Sequence, residues 1–451
     1  MATSVGEPTS NASKNLGPVA AVTIVGLVLS VRFFLFISLN SVNILFWDQW
    51  DFLRIFFDHD PGMWELFVLQ HGPHREGVGL IADKFLYPLT HWNVRAESFM
   101  IGGCIFIAML LALVLKKQLF GKIAYSDVAI PIMFLTLAQY ETLIGTPNPA
   151  YSGFPLLLIM LYALAHLQPS YLLRYGMLLL INLLLIYTGF GVFIGLITIG
   201  LFALDYYWCL RGALSLRPVV PLSGFLMACA TLGSFFVKYK FQPAADCFEF
   251  PYHNLAAYPW FMALMFPAFA GMKGHILLVT LLGIVILSFA LYVFARQVLT
   301  LLQREVRFRS VHLTMAVMLA YSLLFSANTA VGRVCLGLPA AAQPSRYTTL
   351  LIPAFLAMYF FLLTMNEEPL RNILLALFVL LLLPGHVHKP RTVDWFANGK
   401  RAWAACYKQK EDVAYCDSLT NFRVYPDAGR TRLKQKLDYL KQHRLNLFAG
   451  P

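Results

Sequence analysis

Long apolar stretches recur along most of this chain and constrain its fold more than any other feature. They run for about 15 to 22 residues and alternate with short polar connectors, which is the pattern of helices that cross a membrane. Apolar residues make up 59% of the 451 positions and charged residues only 13%, against roughly 25% charged in a soluble domain. A soluble core of this composition would lack a polar surface to cover it. The sequence therefore predicts an all-α, polytopic membrane protein.

The apolar stretches predict about eleven spanning helices within a transmembrane domain at 18–384. The spans are expected at 19–39, 99–115, 128–137, 154–167, 176–186, 190–204, 219–236, 276–295, 311–325, 347–365 and 373–384. Residues 1–17 are rich in Ser, Thr and Asn and are expected to form a disordered cytoplasmic lead. A large first outer loop is expected at 40–98. Residues 385–451 have a soluble composition and are expected to form a small extracytoplasmic tail.

Basic residues in the connectors predict the orientation, because Lys and Arg concentrate in cytoplasmic loops. The residues placed on that side are Lys116, Lys117, Lys122, Arg174, Arg211, Arg217, Arg296, Arg304, Arg307, Arg309 and Arg371. Counting the apolar stretch 256–270 as a span would break this pattern. That stretch contains Pro259 and Pro267, so we assign it to a re-entrant or interfacial segment. The N-terminus is then cytoplasmic, and the loops at 47–95, 139–153, 238–253 and 326–346 lie outside with the tail.

The chain carries a formal net charge of +12. The tail supplies +7 of it, since 385–451 contains 13 Lys and Arg against 6 Asp and Glu. The remaining excess suits cytoplasmic connectors that face anionic lipid. The basic balance therefore indicates membrane lipids as partners and gives no support to nucleic-acid binding.

The first outer loop begins with two carboxylates, Asp48 and Asp51, directly after the first span. Their spacing puts both on one face of a helical turn at the membrane surface. Two carboxylates held this close can act as a general base or hold a divalent cation, Mg²⁺ or Mn²⁺. The flanking Trp47 and Trp50 suit the interface or a sugar ring. The alternative is a hydrated loop with interfacial aromatic residues.

Further along this loop, His71, His74 and Arg75 surround a Gly-Pro turn. Turns of this type present side chains to solvent. Arg75 could hold a phosphate or carboxylate group while a histidine acts as donor, acid or ligand. The alternative is a polar turn whose side chains cap nearby backbone groups. One His-x-x-His pair lacks the third ligand that a zinc site requires.

Four later residues, Glu141, Arg333, Arg346 and Tyr347, are candidates for substrate binding on the same side. Glu141 lies at the end of the third predicted span, where a carboxylate is costly unless it is paired or hydrated. Arg333 and Arg346 flank the loop that enters the tenth predicted span, and Tyr347 follows directly. An arginine here can reach lipid headgroups or bind a phosphate bidentately, and the presence of two favours phosphate binding.

Four cysteines are expected on the oxidising side. Cys406 and Cys416 in the tail would close a small loop, so a structural disulfide is predicted there. For Cys247 and Cys335 no pairing follows from the sequence. Leucines at helical spacing in 432–447 predict a terminal amphipathic helix.

The acidic first outer loop, the many helices and the late arginine-bearing loop together resemble the GT-C class of membrane glycosyltransferases. Four blocks are similar to those of a largely uncharacterised family of bacterial multi-spanning membrane proteins. These blocks are Trp47 to Asp51, Gln70 to Arg75, Gln139 to Glu141, and Gly332-Arg333 with Ser345 to Tyr347. The likeness covers nearly the whole chain. It departs at Gly72-Pro73, where the family pattern would have Asn-Glu.

The resemblance implies a multi-pass enzyme of the bacterial cytoplasmic (inner) membrane that moves a hexosyl or pentosyl group. The implied donor is a sugar on a polyprenyl phosphate, and the acceptor is a glycan or lipid of the cell envelope. Asp48, with Asp51 second, would be the catalytic base or would position a metal ion. Arg333 and Arg346 would hold the departing phosphate. His71, His74 and Arg75 would orient one substrate.

Three other functions fit the same residues. A transporter or flippase for a lipid-linked saccharide would also place polar groups at the membrane boundary. A surface-polysaccharide polymerase or ligase would use the outer arginines and a histidine without an essential aspartate. A non-catalytic scaffold for envelope assembly is the third. The clustering of acids and histidines in one outer loop, away from the middle of the bilayer, argues against the transporter.

Overall fold

The protein is described by a computed structural model that covers residues 16–214, 216–273, 276–303, 309–387, 390–429 and 431–450. Seven of its helices are long and apolar enough to cross a membrane, and three shorter apolar helices accompany them. Within the described residues, the strands are limited to one two-residue pair. The protein is therefore an all-α, multi-pass membrane protein, as predicted. The first fifteen residues, the predicted lead apart from its last two positions, lie outside the described part.

The first long helix is followed by a folded segment of short elements, which is the predicted first outer loop and is called the first outer segment below. These elements are α1 (Leu16–Asn40), α2 (Gln49–Phe52), α3 (Arg54–Asp58), α4 (Met63–Phe67), β1 (Gln70–His71), β2 (His74–Arg75) and α5 (Gly77–Thr90). Only α5 exceeds one and a half turns, because the segment is rich in turn-forming and acidic residues. The strands pair antiparallel, with His71 opposite His74.

The remaining helices complete the bundle and the tail. In the bundle they are α6 (Val94–Phe120), α7 (Ala129–Phe134), α8 (Gly153–Ala165), α9 (Tyr171–Ile186), α10 (Val192–Leu210), α11 (Val219–Phe235), α12 (Ala257–Ala268), α13 (Ile276–Leu301), α14 (Arg309–Arg333), α15 (Thr348–Leu363) and α16 (Glu368–Leu382). In the tail they are α17 (Pro384–Val387), α18 (Arg391–Lys410), α19 (Val413–Thr420) and α20 (Leu433–Gln442). Helix α15 is apolar all round and buried over almost its whole length, so it forms the centre of the bundle.

The third predicted span, 128–137, is wrong as a continuous helix. Helix α7 has six residues and rises only about 9 Å, whereas crossing takes about 30 Å. The chain continues through a 3₁₀ turn at Leu137–Gln139 and a π-helical turn at Glu141–Gly145. The amide of buried Gln139 donates to the carbonyls of Phe134 and Thr136. A broken segment is stable here because side chains bond the backbone groups that the helix leaves free.

The stretch at 256–270 contains the twelve-residue helix α12. Its rise of about 18 Å is less than the hydrocarbon thickness of a bilayer. Most of its side chains are buried against neighbouring helices. The assignment of 256–270 to a re-entrant or interfacial segment stays a prediction.

Two of the predicted cytoplasmic connectors meet at one end of the bundle. Arg174 and Arg309 line the same cavity there. Lys116, near the end of α6, forms a buried ion pair (2.6 Å) with Asp127, which follows that helix. Arg304 and Arg307 lie outside the described residues. Which membrane side this end faces stays a prediction.

The tail folds onto the first outer segment at the opposite end. The backbone N–H of Trp47 donates to the carbonyl of Val424 (2.8 Å), and that of Asn446 donates to His91 (2.8 Å). The buried ammonium of Lys400 donates to the carbonyls of Ile144 and Gly145. A disulfide joins Cys406 to Cys416 within the tail. The tail is therefore part of the wall around the outer segment.

Candidate functional site

A cavity of about 330 Å³ lies between the first outer segment and the ends of the bundle helices. Its wall brings together six of the residues singled out in the sequence. These are Asp48, His71, His74, Arg333, Arg346 and Tyr347. They come from three separate segments of the chain, so the cavity exists only in the folded protein.

Asp48 is exposed to the cavity and precedes helix α2. Its carboxylate accepts no hydrogen bond from any residue that the structure describes. Asp51, one turn later, is different, because it accepts hydrogen bonds from the hydroxyls of Tyr425 (2.7 Å) and Thr431 (3.2 Å). Of the two predicted catalytic carboxylates, only Asp48 is therefore free to accept a proton from a ligand.

These contacts also decide how well the pair fits a divalent cation. Each oxygen of Asp51 already accepts one hydrogen bond from the tail, which orients this carboxylate toward Tyr425 and Thr431. No group of three or more metal-ligating side chains occurs among the described residues. The donor set does not fit the metal site proposed for Asp48 and Asp51, and we derive no step through a metal ion.

The hairpin β1–β2 places His71 and His74 side by side in the cavity wall. Gly72 has a φ of +55°, which is a conformation that glycine adopts without strain. The ring of His74 packs against Phe190 (4.5 Å between centroids) and Tyr151 (5.4 Å). Removal from water, together with the charge of Arg333, lowers the pKa of His74 to about 3. His74 is therefore neutral and can serve as a hydrogen-bond donor or acceptor.

Arg75, the next residue, does not line the cavity. Its buried guanidinium donates to three backbone carbonyls, those of Phe235 (2.9 Å), Val237 (2.6 Å) and Val68. These bonds use the planar fork that arginine provides. Arg75 therefore attaches the hairpin to the end of α11, and the sequence-based role in substrate binding does not fit this position.

Two guanidinium groups face the cavity from the other side. Arg333 is the last residue of α14, and it forms no ion pair with a described carboxylate. Arg346 lies in the turn before α15, with its Nη1 3.9 Å from the Oε2 of Glu141. That distance gives an ion pair but not a hydrogen bond. Both arginines therefore retain donors for an anionic ligand.

Glu141 is held close to this loop by its backbone. Its N–H donates to the hydroxyl of Ser345 (2.8 Å). Its Oε2 is buried and has no hydrogen-bond partner among the described residues. Glu141 thus lies beside Arg346, behind the cavity wall, and can adjust the position of that guanidinium.

A second cavity, of about 750 Å³, adjoins the first. Five residues line both, namely Asp48, Phe52, His71, Gly72 and Ala244. The second cavity has a polar wall that includes Gln70 and Gln242. The first cavity has aromatic walls from Phe190 and Phe325. Asp48 and His71 therefore stand at the boundary between a polar chamber and a chamber with arginines and apolar rings.

Sequence reasoning missed part of the wall. Asn148 and Tyr151 line the first cavity, and the amide of Asn148 donates to Glu76 (3.0 Å) behind it. Glu76 is 1% exposed, and burial raises its pKa. Asn148 stands between Pro147 and Pro149 in the loop at 139–153. Tyr151 and Phe325 gave no signal, because an aromatic residue beside an apolar run resembles core.

A disulfide joins Cys247 to Cys335 beside the first cavity. It joins the loop that carries Pro243 and Ala244, which line the cavity, to the turn after Arg333. Both disulfides lie at the same end of the bundle as the cavities. This position fits the oxidising side of a membrane.

Comparison with models of protein families, with curated proteins and with solved structures finds no match to this chain.

Proposed function

We propose that this protein is a membrane glycosyltransferase that moves a sugar from a polyprenyl-phosphate donor to an acceptor on the outer side of the membrane. The observation that carries the proposal is the position of Asp48, a carboxylate without a described hydrogen-bond donor, in the wall shared by two cavities. A transferase needs its base where the acceptor meets the donor.

The first cavity suits the donor. Arg333 and Arg346 supply guanidinium donors for the phosphate, which is the group that arginine binds best. Phe190, Phe325 and the ring of Tyr347 supply apolar surface for the first isoprene units or a sugar face. The neutral His74 can bond a sugar hydroxyl without repelling the arginines.

The second cavity suits a hydroxyl-bearing acceptor, a glycan or lipid headgroup. Its carboxylates and amides bond hydroxyl groups well, and its larger volume accommodates a longer saccharide. His71 reaches both chambers and can position the attacking hydroxyl.

The reaction is a displacement at the anomeric carbon. The acceptor oxygen forms the new bond to that carbon as its proton passes to the Asp48 carboxylate. The bond from the anomeric carbon to the phosphate oxygen breaks, and its electron pair leaves with polyprenyl phosphate. Arg333 and Arg346 stabilise the charge that develops on that phosphate. The products are the glycosylated acceptor and polyprenyl phosphate.

The test compares membranes that contain equal amounts of the full-length wild type, Asp48→Asn or Arg346→Ala. We expect both variants to lose the glycosylated product while the lipid-linked donor accumulates. Asp60→Asn and Arg423→Ala are the matched controls, because both residues are exposed and line neither cavity. Full product with Asp48→Asn would refute the proposed base.

One observation favours translocation of a lipid-linked saccharide as a second candidate function. The segment from α7 to Glu141–Gly145 crosses the bundle as a broken helix and ends at the first cavity. Broken helices line the substrate sites of many transporters. A flippase would leave the donor on the cytoplasmic leaflet when Asp48 is changed, whereas a transferase leaves it on the outer leaflet.

The bacterial cytoplasmic membrane is the proposed location, with the N-terminus inside and the tail outside. Reporter fusions at Arg304 and after the tail test this arrangement. We expect the Arg304 fusion to report the cytoplasm and the tail fusion the outer side. An outer signal at Arg304 would reverse the assignment of 256–270.

A further inference from the structure

A separate cavity of about 270 Å³ lies at the opposite end of the bundle. Helices α8, α9, α10 and α14 surround it, and the transfer chemistry uses none of its residues. Four polar side chains in its wall can contact a ligand. They are His166, Arg174, Asp205 and Arg309.

Asp205 organises this cavity, and each of its oxygens already accepts a hydrogen bond. Its Oδ2 accepts a hydrogen bond from the hydroxyl of Tyr175 (2.7 Å), and its Oδ1 accepts one from Nη2 of Arg309 (2.7 Å). The pair orients the guanidinium of Arg309, whose other nitrogens make no hydrogen bond to a described residue. The aspartate is therefore a support for Arg309 and not a ligand-binding acid.

Arg174 is held at the same cavity by its own connector. Its Nε and Nη2 donate to the carbonyl of Gln168, and its guanidinium lies 5.0 Å from the ring centre of Tyr171. Nη1 makes no hydrogen bond to a described residue. Arg174 thus has a fixed position and a free donor.

His166 is a buried polar residue in the wall of the same cavity. The residue is 9% exposed, and its Nε2 is buried with no hydrogen-bond partner among the described residues. A buried polar nitrogen without a partner costs roughly 1–3 kcal/mol. Its presence in the wall of a cavity with two arginines indicates that a ligand supplies the missing partner.

The charge balance defines the ligand's chemistry. Two guanidinium groups face one carboxylate that is already bonded, so the cavity has excess positive charge and free N–H donors. We propose that this cavity binds a phosphate group, held by Arg174, Arg309 and His166, as a site distinct from the transferase cavities. The phosphate belongs either to an anionic lipid headgroup or to a soluble phosphate ester, since both present the same oxygens.

The test measures the thermal unfolding midpoint of the purified full-length protein in an uncharged detergent. The two probes are inorganic phosphate, with sodium chloride at matched ionic strength, and phosphatidylglycerol, with phosphatidylcholine as its neutral-headgroup control. The variants are Arg174→Gln and His166→Phe. Arg211→Gln is the control, because Arg211 stacks on Tyr207 near the same end but does not line the cavity. Apparent dissociation constants follow from the dependence of the midpoint on ligand concentration.

Stabilisation by inorganic phosphate in the wild type and Arg211→Gln supports a site for a soluble phosphate ester. Stabilisation by phosphatidylglycerol alone supports a lipid headgroup. In either case we expect about tenfold weaker binding of the phosphate group by Arg174→Gln and by His166→Phe. Each variant loses one charge-assisted hydrogen bond to the ligand. Equal stabilisation of all variants, or none of the wild type by either probe, would overturn the proposal. This measurement does not require sugar transfer, so its outcome is independent of the proposed transferase function.

Discussion

The phenol of Tyr425 donates a 2.7 Å hydrogen bond to the carboxylate of Asp51, which lies 374 positions earlier in the chain. Thr431 donates to the other oxygen of the same carboxylate. The ammonium of Lys436 donates to Thr431 and to the carbonyl of Trp50. The tail thus fixes the turn that carries Asp48. The two acids of one motif have separate tasks, since Asp51 holds the turn and Asp48 faces the cavities.

We predict that Asp51→Asn lowers the free energy of unfolding by about 1–3 kcal/mol, because Asn offers one neutral acceptor oxygen where the carboxylate offers two charged ones. Tyr425→Phe should act in the same direction with a smaller effect. The thermal unfolding midpoint of the purified protein checks both, with Asp60→Asn as control. An Asp51→Asn protein with an unchanged midpoint and no transfer activity would assign Asp51 to the chemistry instead.

Arg75 gives a second prediction about structure. Arg75→Lys should unfold at a lower temperature and yield less folded protein, because an ammonium cannot bond three carbonyls arranged around a planar fork. We expect a loss of about 2–4 kcal/mol, since buried carbonyls lose their donors. Arg401→Lys is the matched control, because Arg401 is exposed and donates to one backbone carbonyl, that of Leu39, and to the side chain of Asn398. Unchanged stability with weaker substrate binding would restore the role of Arg75 as a ligand.

The disulfide between Cys247 and Cys335 should affect substrate binding more than the small tail disulfide does. The double change Cys247→Ser with Cys335→Ser frees the loop of Pro243 and Ala244 from Arg333. We expect KM for the lipid-linked donor to rise about three- to tenfold, because binding must then order that loop. The control is Cys406→Ser with Cys416→Ser. Equal KM values for both double variants would contradict this difference.

His74 predicts a dependence of stability on pH. Its pKa is about 3 in the folded protein, against about 6.5 when unfolded. The unfolded chain therefore binds more protons between these values, and the free energy of unfolding falls as the pH drops below about 6.5. The slope reaches at most about 1.4 kcal/mol per pH unit.

His74→Phe should make the thermal midpoint less sensitive to acid between pH 7 and pH 5. His443→Phe, in an exposed position of the tail, should leave the dependence as it is in the wild type. Identical profiles for wild type and His74→Phe would show that His74 does not titrate as described.

The sequence predicted the membrane class and most helices because hydropathy is a sum over many residues. Ten of the predicted spans coincide with helices, whereas 128–137 is broken around Thr136. A window of hydropathy cannot detect this break, because the residues are apolar and the break depends on bonds from Gln139.

The candidate site was predictable where charged residues stand beside apolar runs, as Asp48, Arg333 and Arg346 do. The different roles of Asp48 and Asp51 could not be predicted, because they depend on Tyr425 in a distant segment. The same holds for Arg75, whose partners belong to α11 and the residues after it. Contacts between remote segments leave no local pattern in one sequence.

Transfer by the purified protein reconstituted in liposomes tests the central claim most directly. The substrates are the lipid-linked donor extracted from the membranes in which it accumulates and the acceptor from the same cells. We predict that Asp48→Asn folds and binds the donor like the wild type but transfers sugar about 10²- to 10⁴-fold more slowly, the loss typical of a general base. Transfer at the wild-type rate by Asp48→Asn would contradict the account.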